Sequence, residues 1–150
     1  MHALQNESIE EEDLAAFALR AAAIVVYAGG AAHRFARGGE GFAAVAAAWK
    51  EMTEGALRMP AFGVSIDRLA REGMQSGLWA EFVFEGEQSL AGMPFTALLV
   101  QVVPEHCGFN LARLQGGGYD GRCFYLDLRG KTMRPFADAL ARLVGQEKIS

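Results

Sequence analysis

Cysteine, proline and excess positive charge are scarce in this sequence. Its 150 residues include two cysteines and four prolines, and fourteen basic residues stand against eighteen acidic ones, giving a net charge of −4. The chain therefore lacks the basic surplus that drives general nucleic-acid binding through phosphate neutralisation, and nucleic acid is disfavoured as a partner. The 51% hydrophobic content instead predicts one folded domain with a sizeable core.

The sequence also lacks the motifs that identify common enzyme and cofactor-binding families. It has no GxxxxGK followed by Ser or Thr, no GxGxxG after a strand, and no HExxH, CxxC or GxSxG. The glycines at 116–118 resemble a phosphate loop only superficially, because a predicted strand follows them and no helix amides are available to an anion. We therefore expect no cofactor.

Residue types that bind zinc are present, but their spacing is unfavourable. His106 and Cys107 are neighbours in a predicted strand, so their side chains should point to opposite faces of the sheet. The other candidate ligands form no second pair with finger-like spacing: His33, Glu105, Cys123 and Asp127. The sequence therefore predicts no metal site.

A membrane span and a targeting segment are both disfavoured. Residues 14–32 carry a single charge, Arg20, but the run is rich in alanine and is broken by Gly29 and Gly30. Residues 1–13 have no basic n-region, so we expect no signal peptide. We interpret the run as a buried helix and expect a cytoplasmic protein.

Cys107 and Cys123 are assigned to two neighbouring strands that turn near Gly117. In that register Cys123 faces about Leu111, roughly 13 Å along the strand from Cys107. A disulfide needs Cα atoms within about 7 Å, so we predict two free thiols and a reducing compartment.

Apolar spacing predicts four helices. Ser8 and Glu11 match a capping box, and a stripe at alternating spacings of three and four follows as far as the Gly29–Gly30 pair: Leu14, Phe17, Ala21, Ile24 and Ala28. After a glycine-rich loop at 31–41, a second helix carries the same spacing on Phe42, Val45, Trp49, Met52 and Ala56. A short third helix at 66–75 would be capped by Ser65, and a last helix would begin at Pro135 and end at Gly145.

Alternation of side chains predicts four strands, at 78–85, 94–103, 106–114 and 122–129. Their connections are too short for parallel crossovers, so the strands should form an antiparallel meander. The expected fold class is α+β, with three N-terminal helices, a four-stranded antiparallel meander sheet and a C-terminal helix. Residues 1–7 would be an acidic tail, and residues 8–150 a single domain.

Two groups of basic residues are candidate ligand-binding positions. The first is the 31–41 loop with Arg34 and Arg37, and the second lies on or after the last strand: Arg122, Arg129, Lys131 and Arg134. If both groups face one side, they form a patch able to hold a small anionic ligand such as a phosphate or carboxylate. The alternative is a solvated surface whose arginines pair with nearby acids.

Bulky apolar residues accumulate around the second and third predicted helices, and they are candidates for an interface: Trp49, Met59, Phe62, Met74 and Trp79. A homodimer or a partner protein would cover such residues, whereas packing inside the core would also account for them.

The sequence leads to two hypotheses for function. The first is a non-enzymatic cytoplasmic binding or adaptor domain, homodimeric, that binds a protein partner or a small anionic ligand. The alternative is a small-molecule enzyme in which His33 or His106 carries a proton, because histidine titrates near neutral pH, and Arg34 or Arg37 holds an anionic substrate.

Overall fold

An antiparallel sheet of seven strands organises the fold, and the computed structural model describes residues 14–59 and 63–149. In chain order the strands are β1 (Ala23–Ala28), β2 (Ala31–Ala36), β3 (Leu57–Met59), β4 (Val64–Ser65), β5 (Leu78–Leu90), β6 (Met93–Gln101), β7 (Gly108–Leu114), β8 (Gly121–Arg122) and β9 (Phe124–Asp127). The large sheet has the order β2-β1-β5-β6-β7-β9-β3, while β4 and β8 pair separately as a two-stranded ribbon.

The described residues contain four helical segments. Residues 14–18 are the described part of α1, and the others are α2 (Glu40–Thr53), α3 (Asp67–Gly73) and α4 (Arg134–Ile149). The predicted α+β class, the antiparallel sheet and the C-terminal helix are therefore confirmed. The prediction of three N-terminal helices before a four-stranded meander is wrong, since β1 to β4 lie among the first three helices.

The long first helix predicted at 8–28 is the main error. Residues 8–13 lie outside the described residues, the helix ends near residue 18, and Ala23–Ala28 is strand β1. This segment contains Ile24, Val25, Val26 and Tyr27, all of which favour a strand. Gly29 and Gly30, expected to end a helix, instead have positive φ of 58° and 87° and join β1 to β2 as a two-residue hairpin turn. The predicted 31–41 loop is consequently strand β2 in its first half.

One face of the sheet is covered by α1, α2 and α4. The predicted stripe of the second helix is buried there, including Phe42, Val45, Trp49 and Met52. Trp49 is 0% exposed, and its ring packs against three phenylalanines of the sheet and α4: Phe82, Phe109 and Phe136. This face holds the larger apolar core.

The predictions for the later segments are closer to the structure. The turn at 116–118 is present, because Gln115 and Gly118 bridge across Gly116 and Gly117. Cys107 and Cys123 are both free, as predicted. The register differs by one residue, since Leu111 pairs with Phe124 rather than with Cys123.

The third and fourth predicted helices are present with changed ends. Ser65 does not cap α3, because its hydroxyl donates to the backbone oxygen of Tyr119 at 2.6 Å. Thr132 Oγ1 accepts the Arg134 N–H at the start of α4, at 3.3 Å, and the helix continues beyond Gly145. The predicted acidic tail at 1–7 lies outside the described residues.

Candidate functional site

Among the described residues, α3, the β4–β8 ribbon and the segment around residues 115–120 cover the second face of the sheet, and a groove of about 980 Å³ opens beside them. Its floor is formed by strands β5, β6, β7 and β9, and one wall by β4 and α3. This groove, called the α3 groove below, is the candidate functional site.

Strand register orders the floor of the α3 groove into three rows. The inner row is apolar. It includes Leu99 of β6, its partner Ala112 of β7, and Cys123, which directly precedes β9. The middle row is amphipathic: Trp79 opposite Gln101, and Asn110 opposite Tyr125. The outer row contains Gly108 opposite Asp127. Because side chains two residues apart share a face, the inner and outer rows are about 13 Å apart.

The wall of the groove presents large apolar side chains to solvent. Val64 is 69% exposed, Ile66 52% and Leu69 53%, and all three line the groove. They lie within six residues on β4 and the start of α3, so they form one patch rather than scattered singles. Contiguous apolar patches on a folded protein commonly mark binding surfaces.

The outer end of the groove is polar and carries acidic side chains. Asp127 accepts the backbone N–H of Arg129 at 2.9 Å, and Glu105 forms an ion pair of 2.8 Å with Arg134. His106 and Cys107 also line this end, because they precede β7 instead of alternating within it as predicted. No lysine or arginine is among the described residues that line the groove.

Trp79 connects the floor to α3. Its indole Nε1 donates to the backbone oxygen of Gly73 at 3.0 Å. A Cβ placed on Gly73 would lie 2.6 Å from the Trp79 ring, so only glycine permits the helix to approach this closely. The half-buried ring is thereby fixed between the helix and the opening of the groove.

A polar clamp holds α3 against the sheet. The Asp67 N–H donates to Asp120 Oδ1 and the Tyr119 N–H donates to Asp67 Oδ1, both at 2.8 Å. This bond from Tyr119, with the neighbouring Arg71, keeps the pKa of Asp67 below its ordinary value. The Arg71 guanidinium also lies over the Tyr119 ring, 5.4 Å from its centroid.

The clamp ends on a buried carboxylate, Glu81 of β5. Tyr27 donates to its Oε1 at 2.8 Å, and Tyr119 donates to its Oε2 at 2.5 Å. Burial, reinforced by the carboxylate, raises the pKa of Tyr27 to about 12, and burial raises that of Tyr119 further. Both phenols are therefore protonated donors at neutral pH, and Glu81 ties β1, β5 and the 115–120 segment together.

Arg113 supports the β4 part of the same wall from within the sheet. This buried side chain donates to the backbone oxygens of Arg122 and Pro94, at 2.9 and 2.8 Å. Burial lowers its pKa. By fixing β8 to β7, Arg113 also fixes β4, which pairs with β8 and carries Val64.

The structure does not bring the two predicted arginine groups together. Arg34 lies on β2 and Arg37 just after it, where Arg37 pairs with Glu85 at 2.6 Å. The other group lies near β9 at the far side of the sheet: Arg122, Arg129 and Arg134. Four strands separate β2 from β9, a distance of roughly 24 Å. His33 is buried on β2, so His106 is the candidate histidine that lines the groove.

The predicted interface residues are similarly dispersed. Trp49 and Met74 are buried on opposite faces of the sheet, while Trp79 is half-buried at the α3 groove. Met59 is half-buried on the edge strand β3, and Phe62 lies outside the described residues. The homodimer stays a prediction, but these side chains do not form one surface.

Several site residues were missed from the sequence: Glu81, Leu69, Asp127 as a groove residue, and Tyr119. An acidic residue facing a buried sheet surface was the available signal for Glu81, since alternation in β5 puts it on the face of Trp79. No sequence signal predicts that Val64, Ile66 and Leu69 are exposed, because their exposure depends on the position of α3 in the folded protein.

Comparisons with known proteins add no assignment, since no family model, curated protein or solved structure matches the chain. In the part of the chain that the structure describes, no three His, Cys, Asp or Glu residues are grouped to hold a metal ion. None of its described helices is long and apolar enough to cross a membrane.

Proposed function

We propose that this protein is a non-enzymatic binding domain whose ligand occupies the α3 groove. The observation that carries the proposal is the patch of Val64, Ile66 and Leu69, three large apolar side chains more than half exposed on one wall. Burying such side chains releases roughly 25 cal/mol per Å² of apolar surface, so a ligand that covers them gains affinity.

The shape of the groove supports the same proposal. Ligand sites are concave, largely apolar and carry a few polar groups, with volumes of about 300 to 1,000 Å³. The α3 groove has about 980 Å³, an apolar inner row and a polar outer row. Its α3 wall is held in position by the clamp to Glu81.

A neutral solvatochromic dye, Nile Red, tests the proposal through its fluorescence on binding. We expect Ile66→Ser and Leu69→Ser each to weaken Nile Red binding about fivefold, the factor for losing roughly 1 kcal/mol of apolar burial. Leu57→Ser is the matched control, because Leu57 is 46% exposed but does not line the groove. Failure of the wild-type protein to bind the dye, or equal losses in all three variants, would contradict the proposal.

The enzyme hypothesis stays a prediction. His106 does line the groove beside Glu105 and Cys107. However, the arginines assigned to hold its anionic substrate, Arg34 and Arg37, are not among the groove residues. The geometry therefore favours binding over the predicted acid–base reaction.

A further inference from the structure

The two ends of the α3 groove differ in chemistry. The inner row, with Leu99 and Ala112, is buried and apolar, while Asp127 faces the outer end about 13 Å away. Trp79 lies between them, with its ring beside α3 and its neighbours Gln101 and Asn110 supplying amide groups. A ligand that matches this gradient has an apolar body and one polar head.

The sign of the charge at the outer end selects the head group. Of the two acids there, Glu105 is already paired with Arg134, whereas Asp127 forms no ion pair with any described residue. The groove lining contains no described lysine or arginine that would attract an anion. A cation is the charge that this end stabilises, both by Coulomb attraction and by a charge-assisted hydrogen bond.

The dimensions favour a small molecule over a protein segment. The floor spans four strands, about 14 Å, and three rows, about 13 Å. That footprint of roughly 180 Å² is far below the approximately 800 Å² per partner of a stable protein interface. It is the size of an arylalkyl or alkyl chain lying along the strands.

We infer that the ligand of the α3 groove is an amphipathic organic cation, whose apolar body covers Leu69 and Trp79 and whose ammonium group lies beside Asp127. The inference rests on the proposed function and specifies its ligand class. It departs from the anionic ligand predicted from the arginines, because those arginines lie outside the groove.

Three matched compounds test the head group: 6-phenylhexylamine, 6-phenylhexanol and 6-phenylhexanoate. Each is titrated against the protein with bound Nile Red, and displacement gives the relative affinity. We expect the amine to bind about fivefold more tightly than the alcohol, the factor for one partly exposed ion pair, and the carboxylate to bind most weakly.

Asp127→Asn should make the amine and the alcohol bind equally, while Asp138→Asn, an exposed acid on α4 outside the groove, should preserve the preference. A second readout needs no variant: raising the salt concentration should reduce the wild-type preference for the amine, because salt screens exposed charges.

The outcomes separate the inference from the proposed function. Equal binding of the amine and the alcohol to the wild-type protein would overturn the cationic ligand, as would failure of all three compounds to displace Nile Red. In either case the proposed function would still stand if Nile Red itself binds and Leu69→Ser weakens it. Loss of Nile Red binding would remove both.

Discussion

The two faces of the sheet are closed by different physical means. On the first face, α2 alone buries four residues, including Trp49 and Phe42, in a continuous apolar core. On the second face, α3 has no fully buried residue, and hydrogen bonds through Asp67 and Tyr119 hold it in place. A large apolar core lies on the first face, whereas a smaller apolar cluster and a polar clamp cover part of the second face and leave a groove. The comparison teaches that a site can remain open where directional bonds replace burial.

The largest expected effect contrasts the two tryptophans. Trp49→Ala should destabilise the fold by about 3 to 5 kcal/mol, because a fully buried ring is replaced by a cavity. Trp79→Ala should cost less than half as much, since its ring is half-buried and opens onto the groove. Chemical denaturation of both variants measures the difference. Equal losses would show that the second face depends on burial as much as the first.

The clamp should contribute an intermediate amount. Tyr119→Phe removes a donor from the buried Glu81 carboxylate and should cost about 1 to 3 kcal/mol at neutral pH. Ala70→Gly is the control variant, because it weakens α3 without touching the clamp. It should cost about 1 kcal/mol through helix propensity. A loss below about 0.5 kcal/mol for Tyr119→Phe would contradict the clamp.

The clamp also predicts alkaline sensitivity. The pKa of Tyr27 is raised to about 12 in the folded protein, chiefly by burial, whereas unfolded tyrosine ionises near 10. Unfolding therefore releases protons above pH 10, and the free energy of unfolding falls as pH rises from about 10 to 12. Replacing Tyr27 and Tyr119 together with Phe should flatten this decline, measured by urea denaturation at several pH values. Ala70→Gly should lower the curve without changing its slope.

A smaller effect distinguishes two arginines of α3. Arg71 lies over the Tyr119 ring and pairs with Asp67, while Arg68, among the described residues, pairs with Glu72 on the helix surface. Arg71→Ala should cost about 0.5 to 1 kcal/mol, and Arg68→Ala about 0.3 to 0.5 kcal/mol or less. Thermal unfolding of the two variants in parallel checks the order. A larger loss for Arg68→Ala would be inconsistent with a role for Arg71 in the clamp.

The last prediction concerns thiol reactivity and needs no substitution, so the free energy of folding is unchanged. Cys107 is exposed at the groove, whereas Cys123 is buried in the cluster beneath α3, and burial raises its pKa. Ellman's reagent should therefore modify Cys107 quickly and Cys123 slowly in the native protein, with two thiols reacting after denaturation. Two equally fast thiols would show that the second face opens freely.

Local sequence patterns predicted the elements whose neighbours are close in the chain. The stripe of Phe42, Val45 and Trp49 identified α2, and the glycines at 116–117 identified a turn. The same helical spacing misassigned residues 19–28, because Ile24 and Ala28 fit a helix stripe as well as a strand. Strand pairing decided the outcome there, through β5 residues 50 to 60 positions later.

Some single residues of the candidate site could be predicted from the sequence, but their arrangement could not. Trp79 and His106 were singled out from the sequence, but their shared groove depends on α3 lying across β5, β6 and β7. The arginines were chosen as candidates because they are numerous. The strand order places their two groups far apart, and local sequence patterns do not reveal that order. Long-range pairing therefore limits what can be predicted, more than the identity of single residues.

The position of β3 has a consequence for how the protein folds during synthesis. Leu57 pairs with Asp127, so 127 − 57 = 70 residues separate the partners, and β3 joins the large sheet through β9. At about 5 to 20 residues per second, the ribosome needs about 4 to 14 s to supply that partner. β1 and β2 pair across a two-residue turn and require no such delay. The edge strand β3 therefore cannot pair at Asp127 until β9 has been synthesised.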